Sequence, residues 1–230
     1  ERIMHDIDVV KRELPVDILE FFFLTPLPGS EDHQKLHRAG VAMDPDLNKY
    51  DLNHATTAHP NMTKAQFEQV YADAWSRYYS LDHVETIMRR AAASGVSTAQ
   101  VLLLCTWFMG ALKIEGVHPL EVGWIRKKAR LNRRHGMKIE PAILFYPKYF
   151  LELGWKLGRW AWLYFRFGLR QLKVEREPNR KAYADLSMAP VSETDAEDLE
   201  LFKTSDAVAW LDQQKRINDA QHGIKAPAAE

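Results

Sequence analysis

Cysteine is nearly absent from this sequence, which holds one, Cys105, among 230 residues. A single thiol cannot form an internal disulfide, so the chain suits a reducing compartment and we expect it in the cytoplasm. No apolar run approaches the about eighteen residues that a membrane-spanning helix needs, and Glu1 does not open a signal peptide. Lys and Arg total 31, as do Asp and Glu, so the zero net charge gives no overall bias towards nucleic acid.

The stretch from Asp17 to Glu31 reads DILEFFFLTPLPGSE and combines three local patterns. Residues 18–24 form a short, aromatic and almost continuous apolar run, which predicts a β-strand buried on both faces. Two prolines and a glycine then end the strand in a rigid loop, and a serine is suited to cap a helix over residues 31–39. In parallel α/β folds, a loop at the carboxyl end of a strand is where ligands bind.

These residues also carry a resemblance to a known family. The pattern Ile-x-x-Phe-Phe-x-Leu-Thr-Pro-Leu-Pro-Gly-Ser, which starts at Ile18, resembles the last barrel strand and loop of radical S-adenosylmethionine enzymes. That family's strand ends in Pro-x-Pro-Gly-Thr/Ser. The sequences GVAMDPD from Gly40 and KYD from Lys49 resemble the branch that carries an N-terminal cobalamin-binding domain. The resemblance covers roughly residues 1–90 and implies the end of a (β/α) barrel.

In that family a reduced iron–sulfur cluster cleaves S-adenosylmethionine to a radical that abstracts hydrogen, and cobalamin often relays a methyl group. The resemblance implies places for seven residues at the barrel mouth: Leu24, Thr25 and Pro26 beside the adenosyl moiety, Pro28 and Gly29 shaping the loop, and Tyr50 and His54 facing the substrate.

The sequence departs from the family at the cluster itself. The family holds its cluster with a C-x3-C-x2-C motif, whereas Cys105 stands alone in an apolar helical run and one thiolate cannot hold such a cluster. The family's glycine motifs are absent too. The resemblance therefore implies the C-terminal part of a larger enzyme, partnered by its own N-terminal part. This part would supply one wall of the active site and bind none of the cofactors alone.

The predicted fold is mainly α, within the α+β class: the terminal strand–loop–helix of a partial (β/α) barrel and then a helical C-terminal domain. We place the end of the barrel at residues 1–62, the helical domain at 63–174, and a polar, acidic tail at 175–230. The helical domain is expected to include a helix from His118 to His135. The tail is expected to hold one short helix, from Ser205 to about Ala220.

Residues 141–173 predict one long helix that combines aromatic and basic side chains. Thirteen Lys and Arg stand against two acids in residues 126–173, an excess that suits an anionic membrane surface. No nucleic-acid motif is present, and burial against other helices is the alternative interpretation. The candidate residues for membrane or partner docking are Trp155, Arg159, Trp160, Trp162, Arg166 and Arg170.

Metal binding is not predicted. His33 and His37 have a zinc-ligand spacing, but Gln34 replaces the glutamate of the H-E-x-x-H motif and two solvated histidines are the simpler interpretation. Two functional hypotheses remain. One is the C-terminal fragment of a radical S-adenosylmethionine enzyme, and the other is a non-catalytic helical module that docks on a partner or on a membrane surface.

Overall fold

The computed structural model describes residues 2–133, 135–189, 199–203, 207–210, 212–213 and 216–217. Within these residues the structure is mainly helical, as predicted. The α-helices are α1 (Arg2–Glu13), α2 (Glu31–Arg38), α3 (Lys64–Tyr78), α4 (Leu81–Ala93), α5 (Thr98–Gly110) and α6 (Ala142–Glu175). Short 3₁₀ turns lie at Leu47–Lys49, Pro119–Glu121, Arg180–Ala182 and Glu200–Lys203.

Two of the helices, α2 and α3, begin where a polar side chain satisfies one of the first backbone N–H groups. Ser30 accepts from the N–H of His33 at the start of α2. Thr63 and Gln66 form a reciprocal capping box at the start of α3. These local signals are present in the sequence, and the helix predicted over residues 31–39 is confirmed at Glu31–Arg38.

The chain divides into two compact units, the larger of which is Asp17–Tyr183. Its core lies where α4, α5 and α6 pack against one another, and the buried aromatic residues of α3 add to this core. The fully buried side chains include Trp75, Tyr78, Ile87, Met88 and Phe167.

The end of α5 widens into a π-helical turn at Ala111–Glu115. Just before it, Gly110 lies under the indole ring of Trp160 from α6, and a Cβ atom at residue 110 would stand 2.1 Å from the ring. Only a glycine therefore allows α5 and α6 to approach this closely. In the same region the Lys156 Nζ donates to a carboxylate oxygen of Glu115 at 2.7 Å, and both residues are buried.

Residues 18–24 do not form the predicted strand. Among the described residues the structure has two isolated bridges, Met43 with Thr57 and His59 with Met62, and no β-ladder. Burial of both faces is also wrong, because Phe23 is buried whereas Phe22 and Leu24 are exposed. The alternation has the two-residue period of a strand, but pairing needs a neighbour that these residues do not supply.

The helix predicted from His118 to His135 is also wrong. A single 3₁₀ turn, Pro119–Glu121, follows His118, and the described residues from there to the start of α6, 122–133 and 135–141, have no regular structure. Gly123 lies two residues after this turn, and a dense run of basic residues follows it, which disfavours a helix. The long helix, by contrast, is confirmed at Ala142–Glu175.

The smaller unit joins Glu1–Val16 to Ala184–Glu230. Within it, the Glu200 carboxylate accepts from the Arg12 guanidinium at 2.7 Å and lies 2.6 Å from the His5 Nε2. The predicted short helix from residue 205 to 220 includes positions outside the described ones, and its described residues, 207–210, 212–213 and 216–217, are helical. In the acidic tail, the sequence from Val191 to Glu200 is the most acidic part, and residues 191–198 of it lie outside the described residues.

Candidate functional site

The apolar segment, residues 19–27, lies on the aromatic surface of α3. The ring of Phe23 stacks on Tyr71 at 4.6 Å and meets Phe67 edge to face at 4.8 Å. Phe21 packs edge to face on Trp75 at 5.7 Å. Such pairs stabilise by about 0.5–1.5 kcal/mol each beyond the area they bury, so one side of the segment is firmly held.

The opposite side of the apolar segment is open. Leu24 is 89% exposed and Phe22 is 57% exposed, and Leu27 is exposed with them. Within the described part of the chain, no backbone–backbone hydrogen bond involves residues 19–26. At Leu19 the backbone N–H and C=O instead bond to the hydroxyl of Tyr79, at 3.2 and 2.9 Å.

The loop after this segment holds the residues predicted to lie beside the cofactor. Leu24 presents its side chain to solvent, and Pro26 is buried. The Thr25 hydroxyl lies 3.3 Å from the carbonyl of Phe23 and 3.1 Å from that of Asp51. Thr25 therefore ties the end of the apolar segment to the loop at residues 50–54.

Pro28 and Gly29 are exposed at the tip of the turn that leads into α2. The turn is closed by the Ser30 N–H, which donates to the carbonyl of Leu27 at 2.9 Å. Gly29 has a φ of 88°, a conformation that side-chain-bearing residues rarely adopt. The two residues thus form the turn between the apolar segment and α2.

His54 and Asp51 form a pair beside Thr25. The Asp51 carboxylate lies 2.8 Å from the His54 Nδ1 and also accepts from the backbone N–H of His54 at 3.0 Å. A carboxylate at Nδ1 favours the tautomer with hydrogen on that nitrogen, which leaves Nε2 as a proton acceptor. Because His54 is exposed, this arrangement is able to exchange protons with a bound molecule.

The loop is anchored by residues that sequence reasoning did not single out. The Glu121 carboxylate accepts from the Leu52 N–H at 3.1 Å and from the Asn53 side-chain amide at 2.6 Å. Only the tertiary fold brings Glu121 to this loop, whereas the spacing of Asp51 and His54 was a local signal that could have been used. Tyr50 serves the loop differently, because its hydroxyl donates to the carbonyl of Asp44 at 3.0 Å.

Asp44, in the loop at residues 41–62, forms ion pairs with two lysines. The ammonium groups of Lys49 and Lys64 each lie 2.9 Å from its carboxylate. Hydrogen bonds from Lys49 and then Lys64 hold the pKa of Asp44 well below its usual range. A hollow of about 220 Å³ lies beside this cluster, lined by Asp44, Thr56 and Lys64 among others, while Tyr50 and His54 are not part of its lining.

The residues of this chain do not fit an iron–sulfur cluster. Cys105 is fully buried in α5, and burial raises the pKa of its thiol to about 12, so it stays protonated at neutral pH. Among the described residues, no group of three or more His, Cys, Asp or Glu side chains is placed to hold a metal ion.

The second candidate surface is the outward half of α6, which we call the outer arc. Its large apolar side chains are each at least 46% exposed, and at the ideal turn angle they span roughly 180° of the helix circumference. The members of the outer arc are Ile143, Leu144, Tyr146, Phe150, Leu151, Trp155, Leu157, Trp162, Tyr164, Phe165, Leu169 and Leu172.

The structure separates the residues predicted for docking into two groups. Trp155, Trp162 and Arg166 are exposed on α6, and the Arg159 guanidinium lies 4.6 Å from the ring centre of Trp155. Trp160 is buried against Gly110, and Arg170 donates to the carboxylate of Glu85 at 2.9 Å. These last two residues belong to the packing between helices.

Despite its outer arc, α6 carries too many charges to cross a bilayer, and the described part of the chain contains no other helix with the length and apolarity to do so. Comparisons of the chain with protein-family models, with curated proteins and with solved structures found no match.

Proposed function

We propose that this chain is the C-terminal part of a cytoplasmic radical S-adenosylmethionine enzyme of the cobalamin-binding branch, and that it supplies one wall of the active site. The observation that supports the proposal most is the half-covered apolar segment. Its inner side is held by α3, while its outer side and its backbone groups have no β-strand neighbour among the described residues. An open edge of unpaired backbone groups is a place where a further strand can add, and adjoining strands of a barrel would supply one.

The loop geometry is compatible with the roles that the resemblance implies. Leu24 offers an open apolar contact for an adenosyl group, and Pro26 and the bonded Thr25 hold the backbone that presents it. Asp51 orients His54 so that Nε2 is free to accept a proton from a substrate. The cluster and cobalamin would be held by residues outside these 230, because the one thiol here is enclosed in α5.

The full-length gene product tests this proposal in two steps. The first is its sequence upstream of Glu1, where a C-x3-C-x2-C motif is expected. The second is the affinity of the anaerobically purified full-length protein for S-adenosylmethionine. Leu24→Arg should weaken this binding about tenfold or more, because it places a charge in an apolar contact.

Leu47→Arg is the matched control, because Leu47 is also exposed but lies outside the apolar segment and its loop. It should leave the affinity within about twofold of the parent protein. If the gene encodes no such cysteine motif, or if Leu24→Arg and Leu47→Arg bind the cofactor equally well, the proposal is wrong.

The second candidate is a non-catalytic helical interaction module. The outer arc favours it, because a contiguous exposed apolar surface of this kind marks an interaction site. The two candidates concern different surfaces of the larger unit, the apolar segment with its loop and the outer arc. Measuring the affinity for S-adenosylmethionine therefore tests the first candidate without testing the second.

A further inference from the structure

We propose that the outer arc of α6 docks on an anionic lipid bilayer, with the helix lying in the plane of the interface. This inference names the partner of the interaction module proposed above, and it rests on the outer arc and not on the proposed enzyme. α6 has 34 residues and a length of about 50 Å, and its outward half is apolar almost from end to end. Helices that lie in the headgroup region bury such a half by about 5–10 Å.

The opposite side of α6 fixes this orientation. Phe145, Trp160, Phe167 and Val174 form a buried stripe, and α6 packs on both α4 and α5. A helix held in this way cannot turn upright across a bilayer without leaving its own core. The outer arc can therefore meet lipid only side-on.

The distribution of charge selects lipid with anionic headgroups as the partner. Lys148, Arg159, Arg166 and Lys173 lie along one edge of the outer arc, within roughly 40° of one another around the helix axis. Lys148 and Lys173 are bound to Glu140 and Glu85, so Arg159 and Arg166 are the two that have no ion pair among the described residues. Basic residues at such an edge reach lipid phosphates while the arc enters the apolar layer.

The chain that precedes α6 continues this pattern. Residues 120–140 expose Leu131, Met137 and Ile139 between basic residues. Contacts of Lys128 with Glu152 at 2.5 Å and of Arg133 with the ring of Phe145 at 5.5 Å hold this stretch against α6. Two separate elements thus present apolar and basic side chains together, a combination that suits an anionic membrane better than a neutral protein surface.

The aromatic residues of the outer arc fit the same partner. Trp155, Trp162, Tyr146 and Tyr164 are all exposed, and tryptophan and tyrosine are the side chains that settle at the boundary between headgroups and acyl chains.

The test uses the full chain with phosphatidylcholine vesicles made with and without phosphatidylserine, and measures co-sedimentation at low and high salt. We expect strong pelleting with the anionic vesicles, weaker pelleting with the neutral ones, and a loss at high salt. The charge variant is Lys127→Glu/Lys138→Glu/Arg166→Glu, because none of these side chains has an ion pair among the described residues. It should lower the apparent affinity on the order of a hundredfold, at roughly fivefold for each residue.

The matched control is Lys35→Glu/Arg38→Glu/Lys181→Glu, which changes the net charge equally at exposed sites outside α6 and the stretch before it. It should retain the parent affinity within a factor of about three. A second variant, Leu151→Ser/Leu169→Ser, should weaken binding to both kinds of vesicle, because it removes apolar area from the outer arc.

Equal and negligible pelleting with both kinds of vesicle would overturn the inference. Binding to the anionic vesicles that the charge variant and its control weaken to the same extent would overturn it as well. A dimer in sedimentation velocity that Leu151→Ser/Leu169→Ser abolishes, with no lipid binding, would assign the outer arc to a second copy of the chain instead. None of these results bears on the upstream cysteine motif or on Leu24, so this inference and the proposed enzyme fail separately.

Discussion

Both sides of α6 carry large apolar side chains, but the surroundings of these side chains differ entirely. Trp160 on the inner side is 7% exposed, whereas Trp162, two residues further on, is 62% exposed. The inner side is distinguished by what faces it: a glycine on α5 that admits an indole ring, and a buried carboxylate that binds Lys156. Hydrophobicity alone therefore does not decide which side of this helix enters the core, and complementary features on the neighbouring helices do.

The sharpest test of this comparison replaces each tryptophan in turn. Trp160→Ala should lower the free energy of unfolding by about 4 kcal/mol, because it leaves a large cavity between α5 and α6. Trp162→Ala should change it by no more than about 0.5 kcal/mol, since its side chain contributes no core packing. Urea unfolding followed by circular dichroism measures both. Similar losses for the two variants would show that the outer arc also contributes to the core.

The buried ion pair of the inner side should be nearly as important. Burial by itself would lower the pKa of Lys156, but the hydrogen bonds that its ammonium group donates to Glu115 and Glu152 outweigh this effect, and the pKa is raised. Lys156→Met should cost about 3 kcal/mol, because Glu115 would then be left buried with one hydrogen bond, from the Arg126 N–H. The double variant Lys156→Met/Glu115→Met should recover most of this stability in the same unfolding measurement. If the double variant is less stable than the single one, the pair is not the source of the effect.

The close approach of the helices at Gly110 predicts an intermediate effect. Gly110→Ala should destabilise the protein by about 2 kcal/mol, because its Cβ atom would overlap the ring of Trp160. Gly158→Ala is the control on α6, where no atom outside the helix lies within 4 Å of the new methyl group. It should stabilise by about 0.5 kcal/mol through the higher helix propensity of alanine. Thermal unfolding of the two variants in parallel compares them, and equal shifts in Tm would contradict the packing described here.

The smallest predicted effect lies at the border of the two sides, where Arg170 and Lys173 bind Glu85. Burial alone would raise the pKa of Glu85, but hydrogen bonds from Lys173 and Arg170 and the charge of Arg89 outweigh it, so the pKa is lowered. A lowered folded-state pKa stabilises the fold above about pH 4.5, and this contribution is lost as the pH falls through the folded value.

Glu85→Gln should therefore cost about 1.5 kcal/mol at neutral pH, and the difference from the parent protein should vanish in acid. Unfolding measured from pH 7 down to pH 3 follows this change. A difference that stays constant over the whole range would mean that the carboxylate charge is not what Glu85 contributes.

Local signals in the sequence were sufficient for the helices with good caps. Ser30 and Thr63 accept the hydrogen bonds that begin α2 and α3, and such bonds depend on residues only three apart. The strand predicted at residues 18–24 and the helix predicted after His118 are wrong because a signal at one point of a segment does not determine the structure of the whole segment. A strand exists only with a partner, and a proline at a helix start does not carry a helix through a glycine and a run of like charges.

The part of the candidate site that depends on neighbouring residues in the sequence was predictable, and the part that depends on distant residues was not. The turn at Pro28 and Gly29 follows from backbone preferences of those two residues. The hydrogen bond from Thr25 to the Asp51 carbonyl joins segments 26 residues apart, and the attachment of the loop to Glu121 spans 68 residues or more. No periodicity or spacing encodes such contacts. Likewise, the division of the tryptophans of α6 into buried and exposed depends on Gly110, which lies in another helix.

The hydroxyl of Tyr79 gives the apolar segment a defined starting point. It donates to the carbonyl of Leu19 and accepts from the N–H of the same residue, which is the pair of bonds that an opposing residue exchanges in an antiparallel ladder. The Tyr79 hydroxyl thus takes the place of the residue that would pair with Leu19 in a β-ladder. A strand that aligned with this segment would have to begin beyond Leu19, so the side chain of Tyr79, directly after α3, would set its register.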